Sequence, residues 1–361
     1  MRAADKRPDM HVHDEHPYNA EPPSGALRGE AVTPLADFYA RNHGAVPELA
    51  EEAVELVVDG LVDAPSTFTL AQLRERFEEV RVAATLQCAG NRRQELLAID
   101  EIPGETPWSD GAISTAWWSG VLLRDVLEAC GVQEGCRHVA FEGADLAEEP
   151  TPAPYGGSVP VWAALGDDVL LAYAMNDEPL PDVHGGPLRV VVPGYIAARS
   201  VKWVTRVTAQ AEPAEHYHQA VAYRMLPVGT DPETPGLAEL QLGPLPLNSA
   251  ILSPGDGETV DAGPAGVTVE GYAITGRYRR VARVEVSGDG GCTWQQAELA
   301  EPLGTHTWVL WRATVPASGQ AQLVARAWDD SGAVQLEDPR SLRNAKGYAN
   351  SCWPRRTVTV R

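Results

Sequence analysis

The chain contains 361 residues, of which 29 are lysine or arginine and 50 are aspartate or glutamate, so its formal net charge is −21. A nucleic-acid-binding protein needs a basic surface, and this balance argues against that class. A membrane-spanning helix needs roughly 18 consecutive apolar residues, whereas the most apolar stretch, Leu188–Val192, ends at Pro193 and Gly194. Hydrophobic residues make up 44% of the chain, enough for a large core, and the length allows about two or three domains.

Cysteine usage and the chain ends indicate the compartment. The five cysteines are an odd number without a close pairing pattern, so at least one thiol is free, as is typical of a reducing environment. The N-terminal segment has neither an apolar signal region nor a twin arginine, and the final residues TVTVR are not a peroxisomal address. We therefore expect a cytoplasmic protein that has no membrane partner and binds no nucleic acid.

Residues 1 to about 50 form a polar segment rich in proline and histidine. This composition predicts an extended arm that wraps the domain after it. His11, His13 and His16 raise the alternative of a metal-binding tail. Because nothing nearby supplies a cysteine or a second ligand cluster, the pattern favours a solvated arm.

Residues 53–209 mix strand and helix patterns, which predicts an α+β domain. The predicted elements, in chain order, are a hairpin over Val54–Val62 with its turn at Asp59-Gly60, a helix over Thr69–Phe77 capped by Thr69, a strand over Arg81–Cys88, an amphipathic helix over Trp118–Gly131, and two strands joined by a Pro-Gly turn over Leu188–Ala209.

The pattern changes near Gly243, where a proline-rich linker over Gly243–Glu258 precedes short alternating strands. Ser287–Gly291 is a turn sequence between two of these strands. The spacing predicts an immunoglobulin-like β-sandwich. We therefore divide the chain into a mixed α+β domain over residues 1–245 and a β-sandwich over residues 246–361.

The segment Leu86-Gln87-Cys88-Ala89-Gly90-Asn91-Arg92-Arg93 offers the clearest chemistry. Cys88 ends a predicted strand, and the turn after it is expected to expose the thiol. The two arginines would favour the thiolate and lower the pKa of Cys88. A thiolate is a soft ligand for a transition metal. Taken alone, the pattern is equally typical of a buried structural cysteine.

This segment resembles the molybdenum-ligating segment of the sulfite oxidase family, and further matches follow in the family's order along nearly the whole chain. They are Pro17–Pro23, Phe38–His43, Asp110–Ala116, Ala172–Asn176, His184–Arg189, Pro193–Trp203 and, in the β-sandwich, Val284–Trp294. The resemblance implies a mixed α+β molybdopterin-binding domain followed by the family's dimerisation domain, and hence a homodimer.

The resemblance also implies a cofactor: one molybdenum held by the dithiolene of a single pyranopterin, with Cys88 as its only protein ligand and neither haem nor flavin. The residues implied to hold the pterin and its phosphate are Tyr39, Ala40, Arg41, Asn42, His43, Asp145, His184, Arg189, Ser200, Val201 and Lys202. Taken singly, some have plainer explanations. His184 is also typical of a turn, Arg189 of a surface ion pair, and Lys202 of a solvated strand face.

The implied reaction is the oxidation of sulfite to sulfate by oxygen-atom transfer, with the electrons passed to an external acceptor, a cytochrome or oxygen. Arg41, Arg93 and Lys346 would hold the anion, since guanidinium groups match oxyanions well. Tyr223 and Trp108 match a tyrosine and a tryptophan of the family's pocket, although each is also typical of packing. The chain departs from the family pattern at Lys346, where the family has arginine, and at Ala222, where it has aspartate.

The other cysteines have no metal-ligand spacing. Cys130 and Cys136 are expected to be structural, and Cys292 and Cys352 to be packed thiols of the sandwich. Two further enzyme classes stay open, a nitrate reductase-type and a sulfoxide reductase-type molybdenum oxidoreductase. A cofactor-free binding module built around the sandwich is the alternative from a different class.

Overall fold

The computed structural model describes residues 5–225, 241–342 and 344–361. The first part of the chain contains a two-stranded hairpin and two five-stranded sheets. The hairpin consists of β1 (His11–Glu15) and β2 (Tyr18–Glu21). One sheet has the order β4-β3-β12-β7-β8, and the other has the order β10-β9-β6-β5 with β11 paired to β9. Their strands are β3 (Glu55–Gly60), β4 (Ser66–Thr69), β5 (Glu79–Gln87), β6 (Ile113–Leu122), β7 (His138–Ala147), β8 (Ala153–Pro160), β9 (Leu170–Met175), β10 (Glu178–Pro179), β11 (Arg189–Val191) and β12 (Val204–Gln210).

The helices of this part are short. They are α1 (Leu70–Arg76), α2 (Arg93–Leu97), α3 (Leu123–Cys130) and α4 (Val161–Ala164), with 3-10 turns at Ser24–Leu27, Glu51–Ala53, Asp182–His184 and Ala197–Arg199 and a π-helical turn at His218–Ala222. Within the described ranges, no helix has both the length and the apolar character that crossing a membrane requires.

The remainder is a sandwich of two sheets, with the orders β13-β15-β19-β18 and β14-β21-β20-β16-β17. Its strands are β13 (Asn248–Ser253), β14 (Thr259–Val260), β15 (Val267–Ile274), β16 (Val281–Ser287), β17 (Gln295–Gln296), β18 (Glu298–Leu299), β19 (Val309–Val315), β20 (Gly319–Asp329) and β21 (Arg355–Val360), and a 3-10 turn lies at Pro339–Ser341. Alternate residues of these strands, such as Val284 and Val286 of β16, fill the space between the sheets. The β-sandwich is thus confirmed, and the turn at Ser287–Gly291 does join β16 to β17.

Two local predictions are confirmed by hydrogen bonding. The Oγ1 of Thr69 accepts a bond from the backbone N–H of Gln72 (3.2 Å), and the Gln72 side chain accepts one from the backbone N–H of Thr69 (2.9 Å). This capping box begins α1. The strand predicted over Arg81–Cys88 is β5, which pairs antiparallel with β6 along its whole length.

Four predicted elements are wrong in their bounds, one of them the linker over Gly243–Glu258, in which Asn248–Ser253 form β13. Asp59 and Gly60 lie inside β3, paired with β12, and the hairpin partner β4 starts only at Ser66. The predicted helix over Trp118–Gly131 begins at Leu123, because Trp118–Leu122 extend β6 between β5 and β9. Of the two strands predicted over Leu188–Ala209, the second begins only at Val204, after the 3-10 turn at Ala197–Arg199.

The N-terminal arm packs on the domain, as predicted, and the expectation that it is solvated is wrong only for its buried part, which includes His13 and residues 19–21. The Ala20 and Ala40 backbones exchange hydrogen bonds of 2.9 and 3.0 Å. The buried His13 side chain lies 2.9 Å from a carboxylate oxygen of Glu21 and packs edge-on against Trp108. Burying Ala20 and Glu21 places the following segment, Tyr39–His43, against the core of the domain.

The cysteines of the described residues are all free. Cys130 and Cys136 are packed in the core of the first domain, and Cys352 is buried in the second. Cys292 is exposed, so the expectation of a packed thiol is wrong there. The reason is that the loop after β16 folds around the Asp289 carboxylate, which accepts the backbone N–H of Cys292 (3.0 Å) and leaves its side chain outside the sandwich.

Candidate active site

Two adjoining cavities lie where the arm, the ends of the first-domain sheets and the sandwich meet. The inner cavity has a volume of about 60 Å³ and the outer cavity one of about 410 Å³. They share the side chains of Arg41, His43 and Tyr223. Among the predicted site residues, those on the inner wall are Tyr39, Arg41, Asn42, His43, Cys88, Asp145, His184, Arg189, Ser200, Lys202 and Tyr223. Segments far apart in the chain thus converge on one space.

Cys88 stands at the point where β5 ends, and its thiol faces the inner cavity. Its backbone N–H donates to the Ala112 carbonyl (2.9 Å), and its carbonyl accepts the N–H of Asn91 (3.0 Å). The residue is 6% exposed, so the expectation of an exposed thiol is wrong. Burial raises the pKa of Cys88, and the opposing charges of Arg93 and Arg41 do not outweigh it. The thiolate is therefore favoured only when a cation occupies the cavity.

The turn after Cys88 is held by close packing. A Cβ at Gly90 would lie 2.5 Å from the Arg93 guanidinium, so a larger residue here would require that side chain to move. Arg92 adopts the left-handed region (φ 64°) and is fully buried. Its guanidinium pairs with Glu95 and donates to the Asn248 side chain (2.7 Å) and the Ser249 carbonyl (2.8 Å). These hydrogen bonds therefore fix the turn after Cys88 to β13 of the sandwich.

Cations line the far wall of the inner cavity. The Arg189 guanidinium donates to the carbonyls of His184 (2.7 Å) and Ser200 (2.9 Å). The Lys202 ammonium donates to the carbonyl of Arg41 (3.1 Å) and to the Asn42 side chain. Burial lowers the pKa of Arg189 to about 10 and that of Lys202 well below its usual value. The partners of Arg189 are neutral carbonyl groups, which leave its charge available to an anion, whereas Asp145 offsets part of the charge of Lys202.

Asp145 is the acidic side chain on this wall. One of its carboxylate oxygens is buried and has no hydrogen-bond partner. Burial raises the pKa of Asp145 to about 6, although the charge of Lys202 opposes the rise. A buried acceptor without a donor is costly. The wall therefore presents both an excess of positive charge and an acceptor that a ligand N–H or O–H can satisfy.

His184 is fixed by a residue that sequence reasoning missed. The Lys6 ammonium lies 2.7 Å from Nε2 of His184 and donates to the carbonyls of Leu35 (2.6 Å) and Phe38 (2.7 Å). Burial lowers the pKa of Lys6 to about 7, so its amine can donate to Nε2 when charged or accept from it when neutral. Burial and the charge of Lys6 lower the pKa of His184 well below its usual value. His184 is thus a neutral residue whose ring is held in place by Lys6.

At the junction of the two cavities, Nε2 of His43 lies 2.9 Å from the Tyr223 hydroxyl. The His43 ring also packs on His218 and Tyr155, at centroid distances of 4.2 and 4.7 Å. Burial and the nearby Arg41 charge lower the pKa of His43, and burial raises that of Tyr223. Both groups are therefore neutral at pH 7 and can share one hydrogen bond in either direction.

Arg93 and Lys346 lie beside the outer cavity, joined by a third residue. Glu105 places one carboxylate oxygen 3.1 Å from Nη2 of Arg93 and the other 3.1 Å from Nζ of Lys346. Lys346 and Glu105 line the cavity, whereas Arg93 is buried directly behind them. The structure thus brings the two predicted anion-binding cations together, but around a carboxylate of the chain itself.

Three more predicted site residues are close to the cavities without lining them. The side chain of Val201 packs in the hydrophobic core, and its carbonyl accepts the N–H of Val190 (2.8 Å). Ala40 contributes through its backbone pairing with Ala20. Trp108 is fully buried, 6.4 Å from the Tyr39 ring between centroids. These residues support the wall from behind.

Sequence reasoning also missed Phe38 and Tyr155 on the inner wall and Glu105 on the outer one. Phe38 belongs to the segment Phe38–His43 that resembles the family, so its position next to Tyr39 could have indicated it. Nothing in the local sequence around Lys6, Tyr155 or Glu105 indicates a site, because their partners lie many residues away.

Two family models match the chain in succession. Residues 43–218 match the oxidoreductase molybdopterin binding domain, and residues 241–361 match the Mo-co oxidoreductase dimerisation domain. The first match contains Cys88, Asp145, His184, Arg189 and Lys202, and the second contains Lys346. The two models therefore meet at the cavities described above.

Relatives with curated names match almost the whole chain. Sulfite oxidase of Gallus gallus is 41% identical over 97% of this chain and 78% of its own length. Sulfite oxidase, mitochondrial, of Homo sapiens is 41% identical over 98% of this chain, which spans 66% of the human protein. Sulfite oxidase of Arabidopsis thaliana is 36% identical over 97% of this chain and 94% of its own length.

A nitrate reductase [NAD(P)H] of Hordeum vulgare is 37% identical, but this chain covers only 41% of it. Among solved structures, the sulfane dehydrogenase SoxCD from Paracoccus pantotrophus superimposes with a TM-score of 0.82 at 26% identity, over 99% of this chain and 91% of that one. This likeness covers both the cavity-bearing domain and the sandwich. The chain belongs to the sulfite oxidase family of molybdopterin-binding oxidoreductases.

Proposed function

We propose that the protein is a molybdenum-dependent sulfite oxidase, which converts sulfite to sulfate and passes the electrons to an external acceptor. The observation that carries the proposal is the buried Cys88 thiol facing one cavity together with the cations Arg41, Arg189 and Lys202. A soft sulfur ligand suits a transition metal, and unpaired buried cations suit an anionic cofactor and an anionic substrate.

The cavity residues fit a molybdenum-bearing pyranopterin. Arg189 and Lys202 would hold its phosphate, since no carboxylate other than Asp145 faces them among the described wall residues. The unpartnered oxygen of Asp145 and the imidazole of His184 would bind the pterin ring. Cys88 would ligate the metal. When bound, the cofactor supplies oxygen-atom transfer and accepts two electrons, chemistry that no side chain provides.

The protein's own residues would bind and orient the substrate. Arg41 reaches both cavities, so its guanidinium can hold an anion that enters from the outer cavity and reacts in the inner one. The Tyr223 hydroxyl at the same junction would donate a hydrogen bond to that anion, and Nε2–H of His43 would donate to the hydroxyl oxygen and hold it in place. The buried aromatic wall of Phe38 and Tyr39 excludes water from the reacting atoms.

Steady-state oxidation of sulfite by molybdenum-loaded protein, with a panel of acceptors that includes a cytochrome and oxygen, tests the proposal. We expect turnover of sulfite and slow or no reduction of nitrate or of a sulfoxide under matched conditions. Preferred nitrate reduction would replace sulfite oxidase by a nitrate reductase-type function. Protein that retains no molybdenum and has no visible absorption would instead indicate a cofactor-free binding module.

The quaternary structure and compartment belong to the same proposal. We propose a homodimer formed through the sandwich, supported by the match to a dimerisation domain. We also propose a cytoplasmic location, supported by the free thiols of all the cysteines in the described residues. Cell fractionation and sedimentation test these two statements separately from the activity.

A further inference from the structure

Glu105 lies between the two cations that the family resemblance assigns to the substrate. Its Oε2 is 3.1 Å from Nη2 of Arg93, and its Oε1 is 3.1 Å from Nζ of Lys346. The side chains of Arg93, Glu105 and Lys346 are 3%, 15% and 27% exposed. The carboxylate thus bridges a buried guanidinium and a cavity-facing ammonium, with one oxygen on each.

Two other nitrogens of Arg93 bind backbone carbonyls. Its Nε donates to the Lys346 carbonyl (2.9 Å) and its Nη1 to the Thr106 carbonyl (2.6 Å). Its Nη2 faces an ionised group, which is Glu105. A guanidinium has five N–H donors and an ammonium three, so each cation keeps further donors, but an oxyanion takes the bridging position between Nη2 and Nζ only by displacing Glu105.

The location of the bridge makes this exchange relevant to substrate. Glu105 and Lys346 line the outer cavity together with Arg41, which continues into the inner cavity beside Cys88. Tyr348 joins the two regions, because its ring lies 5.1 Å from the Arg93 guanidinium and 5.2 Å from the Tyr223 ring. The bridge therefore stands on the wall that an anion passes before it reaches Tyr223.

We infer that Glu105 is an internal competitor for the oxyanion: its carboxylate occupies the Arg93–Lys346 pair in the free protein and swings away when a small oxyanion binds. A carboxylate and an oxyanion offer the same pair of acceptor oxygens to a guanidinium. Glu105 thereby lowers the affinity for every oxyanion by the cost of its own displacement. This inference rests on the proposed function for the identity of the substrate, but not for the existence of an anion site.

The field of Glu105 reaches the reacting groups as well. Its negative charge contributes to the raised pKa of Cys88, Tyr223 and Tyr348. Removing that charge should strengthen the attraction of the whole site for an anion.

The test is calorimetric titration of the oxidised, molybdenum-loaded protein with sulfate, the product, so that no turnover occurs. We expect E105Q, which keeps an amide oxygen as acceptor but loses the charge, to bind sulfate about tenfold more tightly than wild type. Glu134→Gln removes an exposed carboxylate elsewhere and serves as the matched control for net charge, with an unchanged dissociation constant. Glu105→Asp keeps the charge on a shorter side chain and should bind sulfate with intermediate affinity.

A double-mutant cycle localises the effect. Lys346→Met combined with E105Q should lose most of the tenfold gain, because the freed ammonium is what the sulfate uses. Unchanged or weaker sulfate binding in folded E105Q and E105D would overturn the inference and leave Glu105 as a residue that only positions its partners. Tighter sulfate binding in E105Q with no sulfite oxidation by any variant would overturn the proposed reaction and keep the inference.

Discussion

At the scale of single residues, Cys88 decides whether the inner cavity can do redox chemistry. Cys88→Ser should abolish sulfite oxidation while leaving the fold intact, because serine fills the same space but an alkoxide is a harder ligand than a thiolate. The measurement is steady-state activity together with molybdenum content and a thermal unfolding scan. A serine variant with full metal occupancy and normal turnover would disprove the assignment of Cys88 as the ligand.

Arg93 is expected to matter for substrate affinity. Arg93→Gln removes the guanidinium that pairs with Glu105 and holds the Lys346 carbonyl. Loss of one charge-assisted hydrogen bond costs about 1.5–3 kcal/mol, which is roughly ten- to a hundredfold in affinity. We expect a rise of that size in KM for sulfite with a smaller change in kcat, and a weaker dependence of kcat/KM on salt than in wild type.

Lys346→Arg is the matched substitution at the other cation. It keeps the positive charge and introduces a guanidinium group, which can donate to two oxygens of one anion. We therefore expect kcat/KM for sulfite to be unchanged or mildly higher. An unchanged kcat/KM in Arg93→Gln, measured alongside Lys346→Arg at two ionic strengths, would remove Arg93 from the anion site.

Which of these residues can be predicted depends on how far away their partners lie. Cys88 and Arg93 belong to one contiguous segment, and that segment carries the family resemblance that implies their roles. Glu105 and Lys6 carry no such local signal: Lys346 lies in the other domain from Glu105, and His184 lies far along the chain from Lys6. The same limit explains the Cys88 pKa, since the sequence showed the arginines but not the burial that outweighs them.

At the scale of secondary-structure elements, local signals predicted helix caps better than the point where a strand gives way to a helix. The capping box of α1 is a contact between neighbours and was correct. The start of α3 was missed because Trp118–Leu122 are buried on both sides of a central strand, and a continuous apolar run does not distinguish helix from strand. The 3-10 turn Ala197–Arg199 before β12 was missed because its shape depends on contacts with the other residues around the inner cavity rather than on its own sequence.

The π-helical turn His218–Ala222 should make stability depend on pH. Burial and the Arg41 charge lower the pKa of His218 to about 4, below the ordinary value of about 6.5. The unfolded chain then binds a proton that the folded one does not, so stability is full above about pH 6.5 and is lost as the pH falls through about 4. At pH 5 the loss from this residue is about 2 kcal/mol.

His218→Gln removes that titration. We expect the difference in unfolding free energy between pH 7 and pH 5 to shrink by about 1–2 kcal/mol relative to wild type, measured by urea unfolding followed by fluorescence. His11→Gln, in the exposed part of the arm, is the control and should leave the difference unchanged. An identical pH dependence in His218→Gln and wild type would show that other groups cause the loss.

At the scale of the whole molecule, the sandwich is part of the site and not an appendage. Arg92 donates to Asn248 and Ser249, and Tyr348 packs on Tyr223, so the second domain fixes the turn that carries Cys88. The division into two structural types followed from the change in sequence pattern near Gly243. The sequence pattern did not predict that the two domains share a site. Composition shows where a domain begins but not which of its loops faces another domain.

The last prediction concerns assembly. The protein should form a homodimer through residues 246–361, because the family model for that region describes a dimerisation domain and a closed two-fold interface is the commonest symmetric arrangement. Sedimentation velocity at micromolar concentration should give a species of twice 38.8 kDa. The net charge of −21 opposes association of two copies, so the dimer should tighten as salt rises. A single species of monomer mass at every salt concentration would contradict the prediction, and sulfite turnover by that monomer would show that the site is complete within one chain.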